Sequence, residues 1–141
     1  MSRRRIPREV REFVAERADF CCEYCFSQEG YCPDPLNVEH IIPVVRQGSD
    51  AVANLAYSCQ GCNNKKHAAV SAIDPMTGRR VRLFHPRKHD WDKHFIWSGD
   101  NLRIIGLTSI GRATVERLEL NRPGVVNLRF ALIQIGKHPP R

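Results

Sequence analysis

The apolar positions of this chain fall into short groups whose spacing changes from helical to alternating and back again. Between Pro7 and Ala18, Val10, Phe13 and Val14 recur at helical spacing behind a proline suited to a first turn, which predicts an amphipathic helix. Ser27 to Pro35 is irregular, punctuated by Gly30, Pro33 and Pro35. Leu36 to Pro43 alternates roughly as a strand and ends at its proline. Arg46 to Asp50 reads as a polar loop, Asn54 to Ser58 as a second short strand, and Cys62 to about Val70 as a short helix. The predicted order in this stretch is strand, loop, strand, helix.

A turn at Asp74-Pro75-Met76-Thr77-Gly78 separates this stretch from a second one. There Val81 to Phe84 predicts a strand, and Phe95-Ile96-Trp97 with Leu102 to Leu107 predicts a hairpin around Ser98-Gly99-Asp100-Asn101. Thr108 is placed to cap a helix over Arg112 to Leu120, and Asn121 and Pro123 to open a last helix through about Leu132. The tail from Gly136 is expected to fray. The expected fold class is α+β: an N-terminal helix, a ββα core and a small mixed extension.

Length and composition narrow this picture only modestly. The 141 residues fit one compact domain over 1–141, with a core over about 18–70 and an extension over about 74–135. No apolar run approaches the ~20 residues of a membrane span, and no apolar signal core follows the basic start Met1-Ser2-Arg3-Arg4-Arg5. The expectation is a cytoplasmic protein. With 22 Lys and Arg against 15 Asp and Glu, the net charge of +7 favours a polyanionic partner. Charge alone is permissive.

The cysteines say more. Four of the six form two C-x-x-C knuckles, Cys22/Cys25 and Cys59/Cys62, and a two-residue gap lets both sulfurs of a knuckle reach one tetrahedral zinc at ~2.3 Å. Cytosolic thiols stay reduced, so paired cysteines there read as metal ligands rather than disulfides. The 33 residues between the knuckles leave room for an inserted hairpin. Cys21 adjoins a ligand but lacks the standard spacing, and Cys32 reads as a free or packed thiol. A closed site of this kind holds the fold and does not catalyse.

Between the knuckles stands Val38-Glu39-His40-Ile41-Ile42-Pro43, followed by Asn54 and, just past the last cysteine, Asn63. The pattern C-E-Y-C, E-H-I-I-P, N-L-A, C-x-x-C-N-x-K, over about Ala18 to His67, resembles the HNH nuclease family in its subclass with four zinc-binding cysteines. Leu83-Phe84-His85-Pro86-Arg87 and Gly111-Arg112-Ala113-Thr114-Val115 resemble C-terminal extensions of some bacterial HNH proteins.

The resemblance implies the ββα-metal fold and hydrolysis of DNA phosphodiester bonds by a one-metal mechanism, leaving 5′-phosphate and 3′-hydroxyl ends. His40 is then the general base, since a neutral imidazole is available near pH 7. Glu39 and Asn63 are the expected oxygen ligands of a catalytic Mg²⁺ or Mn²⁺, few enough to leave room for waters and the scissile phosphate. Asn54 is expected to tie the loop and help orient the His40 ring. The family often carries aspartate at the place of Glu39 and histidine at that of Asn63. His67, four residues after Asn63, is an alternative ligand or a phosphate contact.

Arg46 and Gln47 in the loop, and Lys65 and Lys66 on the helix, are candidate DNA backbone contacts, which position nucleic acid without reading its sequence. Arg79, Arg80, Arg82, Arg87 and Lys88 widen the basic surface, as would Arg3-Arg4-Arg5. His85, His89 and His94 do not have clean ligand spacing, and we expect a packed Trp91, Phe95 and Trp97 with partly exposed histidines. Two rival readings stand beside the nuclease. One is a non-catalytic zinc-dependent nucleic-acid-binding module, which leaves Glu39-His40 and Asn63 as coincidence. The other is a thiol redox sensor built on the knuckles. Oligomeric state and sequence specificity have no signature in the chain.

Overall fold

The computed structural model describes residues 6–140, so the Arg3-Arg4-Arg5 arm lies outside the described residues. Helix α1 (Arg8–Arg17) begins behind Pro7 and buries Val14 and Ala15. Phe13, expected on the apolar face, is instead exposed and lies under the Arg17 guanidinium, 5.2 Å from the ring centroid. Asp19 and Phe20 take positive φ and turn the chain into the first knuckle.

Strands β1 (Asn37–His40) and β2 (Leu55–Ser58) pair antiparallel, from Asn37↔Ser58 to His40↔Leu55. All four β2 residues are buried, with α1 packed against the pair. The strand expected as far as Pro43 stops at His40. Past it the Asn54 side chain replaces a neighbouring strand, accepting from Ile42 N at 2.9 Å and donating to Ile42 O at 3.0 Å. Helix α2 (Gln60–Lys66) is capped by Cys59 Sγ, which accepts from Cys62 N. It ends earlier than expected because His67 adopts φ 53°.

The extension holds two further hairpins. Strands β3 (Ser71–Ile73) and β4 (Arg80–Arg82) pair across the Asp74–Gly78 turn. Three residues of β3 are too few to leave a legible alternation, and it was not foreseen. Buried Asp74 organises the turn by accepting from Met76 N and Thr77 Oγ1, and Arg112 grips both its oxygens at 3.0 and 2.9 Å. That guanidinium holds the Asp74 carboxyl well below the usual carboxylate range. A one-turn helix α3 (Trp91–His94) leads into β5 (Phe95–Trp97), which pairs with β6 (Ile104–Gly106) as expected.

Helix α4 (Ser109–Leu118) is capped by Thr108, whose Oγ1 accepts from Gly111 N, and it packs on β6, β3, β4 and α2. Gly111 permits that approach, since a Cβ there would stand 2.0 Å from His94 O. Helix α5 (Pro123–Gln134) starts at its proline; Asn121 does not cap it, but ties β6 by accepting from Ile104 N and donating to Ile104 O.

One continuous cluster of buried residues runs from Val14 and Leu55 through Phe84, Trp91 and Phe95 to Leu118 and Val125. The tail is docked where fraying was expected. His138 is buried, stacks edge-on against Trp97 at 4.6 Å and meets Asn101 O at 2.8 Å.

Candidate metal centre and active site

The turn after α1 and the junction of β2 with α2 bring the two knuckles face to face. The Sγ atoms of Cys22, Cys25, Cys59 and Cys62 all lie within 4.8 Å of one another, and all four residues are buried. Cys25 Sγ and Cys59 Sγ are 3.6 Å apart. Four thiolates at ~2.3 Å from a tetrahedral zinc stand about 3.8 Å from each other, so the donor set fits that ion. The six cysteines form no disulfide, and Cys21 and Cys32 stand outside the quartet, with their sulfurs directed at Asp19 O and Gln28 O.

Two arginines that the sequence reading did not single out serve this centre. Arg122 directs Nη2 at Cys59 Sγ, 3.4 Å, and Nη1 at Cys62 Sγ, 3.6 Å. Burial alone lowers its pKa, but the neighbouring Cys62 and Cys25 sulfurs outweigh that and hold it above the ordinary value. Arg129, buried on α5, donates to Cys25 O, Leu120 O and Leu102 O. A four-thiolate zinc carries net negative charge, and donors to its sulfurs and to the adjoining backbone both neutralise and orient it. No local spacing could have flagged Arg122, because it approaches from 60 residues or more along the chain.

At the other end of β1, the side chains of Glu39 and His40 diverge, as neighbours on a strand must. His40 keeps a side-chain exposure of 16%, and its Nε2 stands 2.7 Å from Asp50 Oδ1. Asp50, a residue of the polar loop that no local pattern marks, is therefore the group that orients the imidazole. Asn54, expected to help with that task, touches Ile42 and Ser49 and not His40. Its role is to lock the loop. Gly48 lets that loop close, since a Cβ there would fall 1.6 Å from Ile42 O.

Glu39 is buried, with Oε2 accepting from Tyr24 Oη at 2.8 Å and paired with Lys66 Nζ at 3.5 Å. Burial pushes its carboxyl up, against the opposing pull of Lys66 and Tyr24. Its Oε1 is buried without any hydrogen-bond partner among the described residues. Lys66 is itself 2% exposed and donates to Ile41 O at 2.8 Å. It was expected on a DNA-facing surface; the structure turns it inward, because the buried carboxylate and a carbonyl draw the ammonium into the core. Asn63 lies one turn before Lys66 on the same face of α2, half-buried, and so beside Glu39's side of the hairpin.

The remaining candidates are at the surface. Lys65 is exposed but pairs with Glu119 at 2.8 Å. His67 is exposed just beyond the end of α2, so it does not share the helix face with Asn63 on which its ligand role was argued. Arg46 is exposed, with Nε donating to Ala68 O. His85, His89 and His94 form a ring-to-ring chain beside Phe84, with Trp91 and Phe95 buried behind them. Burial lowers their pKa values, that of His85 to about 4. Among the described residues the only cysteine, histidine and carboxylate cluster with metal-ligand geometry is the quartet.

Residues 22–69 match the HNH endonuclease family, a span running from the first zinc-type knuckle through β1, β2 and α2. No curated protein matches the chain. The match supports a nuclease-type or nucleic-acid-binding module, and the four cysteines of the matched segment stand close enough to hold a zinc ion.

Proposed function

From the premise that residues 22–69 carry the HNH endonuclease pattern, we propose that this protein hydrolyses DNA phosphodiester bonds with His40 as general base. The observation that carries the reading is the 2.7 Å contact between His40 Nε2 and Asp50 Oδ1. A carboxylate at Nε2 favours the tautomer protonated there, which leaves Nδ1 with a free lone pair. Nδ1 takes a proton from water, the resulting hydroxide attacks phosphorus, and the bond from phosphorus to the 3′ oxygen breaks. The products are a 5′-phosphate and a 3′-hydroxyl, the leaving oxygen regaining a proton from solvent.

Glu39 Oε1, buried and without a hydrogen-bond partner among the described residues, is the oxygen best suited to a divalent cation, with the Asn63 carbonyl as its neutral companion. When bound there, Mg²⁺ or Mn²⁺ supplies neutralisation of the charge that develops on the phosphate. Tyr24 and Lys66 hold the other carboxylate oxygen and so fix which one is presented. Zinc in the quartet keeps the hairpin and α2 in register and takes no part in the chemistry.

A non-catalytic nucleic-acid-binding module has one observation in its favour: the Lys66 ammonium, 3.5 Å from Glu39 Oε2, already offsets that carboxylate's charge. Plasmid nicking by the zinc-loaded protein, with Mg²⁺ or Mn²⁺ added or withheld, separates the two. Metal-dependent nicking abolished by His40→Ala supports the nuclease. Binding of the plasmid with no nicking under any divalent ion supports the module.

A further inference from the structure

Two cavities of about 370 and 290 Å³ lie where the matched core meets the β3–β4 hairpin, and they share Arg46, Val70 and Ser71 as a common wall. Together they form a groove that starts at Ile41 and Ile42, immediately after His40. Arg46, Arg80, Arg82, Lys88 and Arg117 line it, and all five are exposed. Not one aspartate or glutamate lines either cavity. A cavity of about 660 Å³ beside α1 and the first knuckle differs in mixing Arg17, Arg87 and Lys137 with Asp19, Glu23 and Asp90.

None of the five groove cations pairs with a carboxylate among the described residues; the ion pairs lie elsewhere, at Arg8, His40, Lys65, Lys66, Arg87 and Arg112. Arg46 and Arg117 do donate to backbone, at Ala68 O and Lys66 O, and Arg80 to Ser71 Oγ. Those acceptors are neutral. They aim the guanidinium groups and leave their charge uncompensated.

We infer that this groove binds the sugar–phosphate backbone of duplex DNA and leads it to His40, with the β3–β4 hairpin and the segment after it supplying most of the contacts. The physical reason is a line of unneutralised cations without an intervening anion, continuous with the catalytic strand, against which phosphates release their counterions. Backbone contacts of this kind set where the duplex lies and carry no base specificity. The inference rests on reading the chain as acting on DNA, and it assigns to the extension the task of holding that substrate.

The test is binding, read without cleavage. Fluorescence anisotropy of a labelled 20-base-pair duplex, with no divalent ion added, is measured over a salt series for three proteins of verified zinc content and melting temperature. These are the parent, Arg80→Ala/Arg82→Ala/Lys88→Ala, and a charge-matched control, Arg8→Ala/Arg11→Ala/Arg103→Ala, whose exposed cations lie outside the groove. The groove variant is expected to bind at least about tenfold more weakly at 0.15 M salt and to lose about 3 from the slope of log K against log salt, while the control loses neither. Equal losses in both variants, unchanged binding in the groove variant, or a parent that prefers single-stranded RNA to the duplex would overturn the inference. Binding through the groove with no nicking of plasmid would overturn the nuclease reading alone, so the two failures are distinguishable.

Discussion

The two ends of the β1–β2–α2 unit are built from the same short elements and are finished in opposite ways. At the knuckle end, four sulfurs converge in the interior, Ser27 Oγ and Arg122 satisfy them from outside, and Arg129 clamps the adjoining backbone. At the far end, β1 stops after four residues, the Asn54 side chain stands in for a strand, and one Glu39 oxygen is left without a hydrogen-bond partner among the described residues. A site that only has to hold is closed on every side. The far end keeps an acceptor open, and the cost of doing so is spread over the packing around it.

Breaking the closed end has the largest expected effect. Cys59→Ser, or removal of zinc with a strong chelator, is expected to unfold the hairpin and α2, since a structural zinc site contributes on the order of 10 kcal/mol to such small modules. Loss of amide dispersion in the NMR spectrum, with zinc content falling from one per chain, checks this. If the cysteine variant stays folded and metal-free, the two ends are not divided as described.

The open end behaves differently. His40→Ala is expected to lower nicking by about 10²- to 10⁴-fold while leaving the melting temperature near that of the parent. Lys66→Met is expected to act on stability as well, costing about 3–5 kcal/mol by stranding the buried Glu39 carboxylate. Glu39→Gln in the same chain should restore most of that loss, a coupling that urea unfolding of the four proteins in the cycle measures directly.

Two smaller effects sharpen the contrast. Arg122→Ala is expected to weaken zinc affinity by about 10- to 100-fold, read by competition with a chelator of known affinity, with the overall fold retained. Asp50→Asn is expected to slow nicking by about 10- to 100-fold, by analogy with the outer partners that orient working imidazoles, without affecting zinc content. An Asp50 variant with full activity would return the orienting role to another group.

Much of the candidate site is legible from the sequence, because its residues stand at local spacings. The knuckles, Glu39-His40, Asn54 and Asn63 stand within one stretch of chain, and each knuckle's geometry follows from a two-residue gap. The hairpin at Phe95–Trp97 and the Thr108 cap were legible for the same reason, since a turn signal and a capping hydroxyl act over a few residues. What spacing could not supply was direction. Lys65 and Lys66 look alike in sequence, yet one is exposed beside Glu119 and the other is buried against Glu39.

The sequence by itself determined the metal-type knuckles, the ββα order and the neighbourhood of Glu39, His40 and Asn54 on one stretch of chain. These follow from residue chemistry and from backbone periods that are local properties. Only the tertiary structure decided that Asp50 serves His40, that Arg122 and Arg129 serve the cysteines, and that the tail docks on Trp97. It alone assembled five cations from the loop after β1, the β3–β4 hairpin, the segment beyond it and α4 into one groove. Each of these is a meeting of segments brought together by burying a shared apolar core, and the energy that selects such meetings belongs to the whole packed chain rather than to any stretch of it.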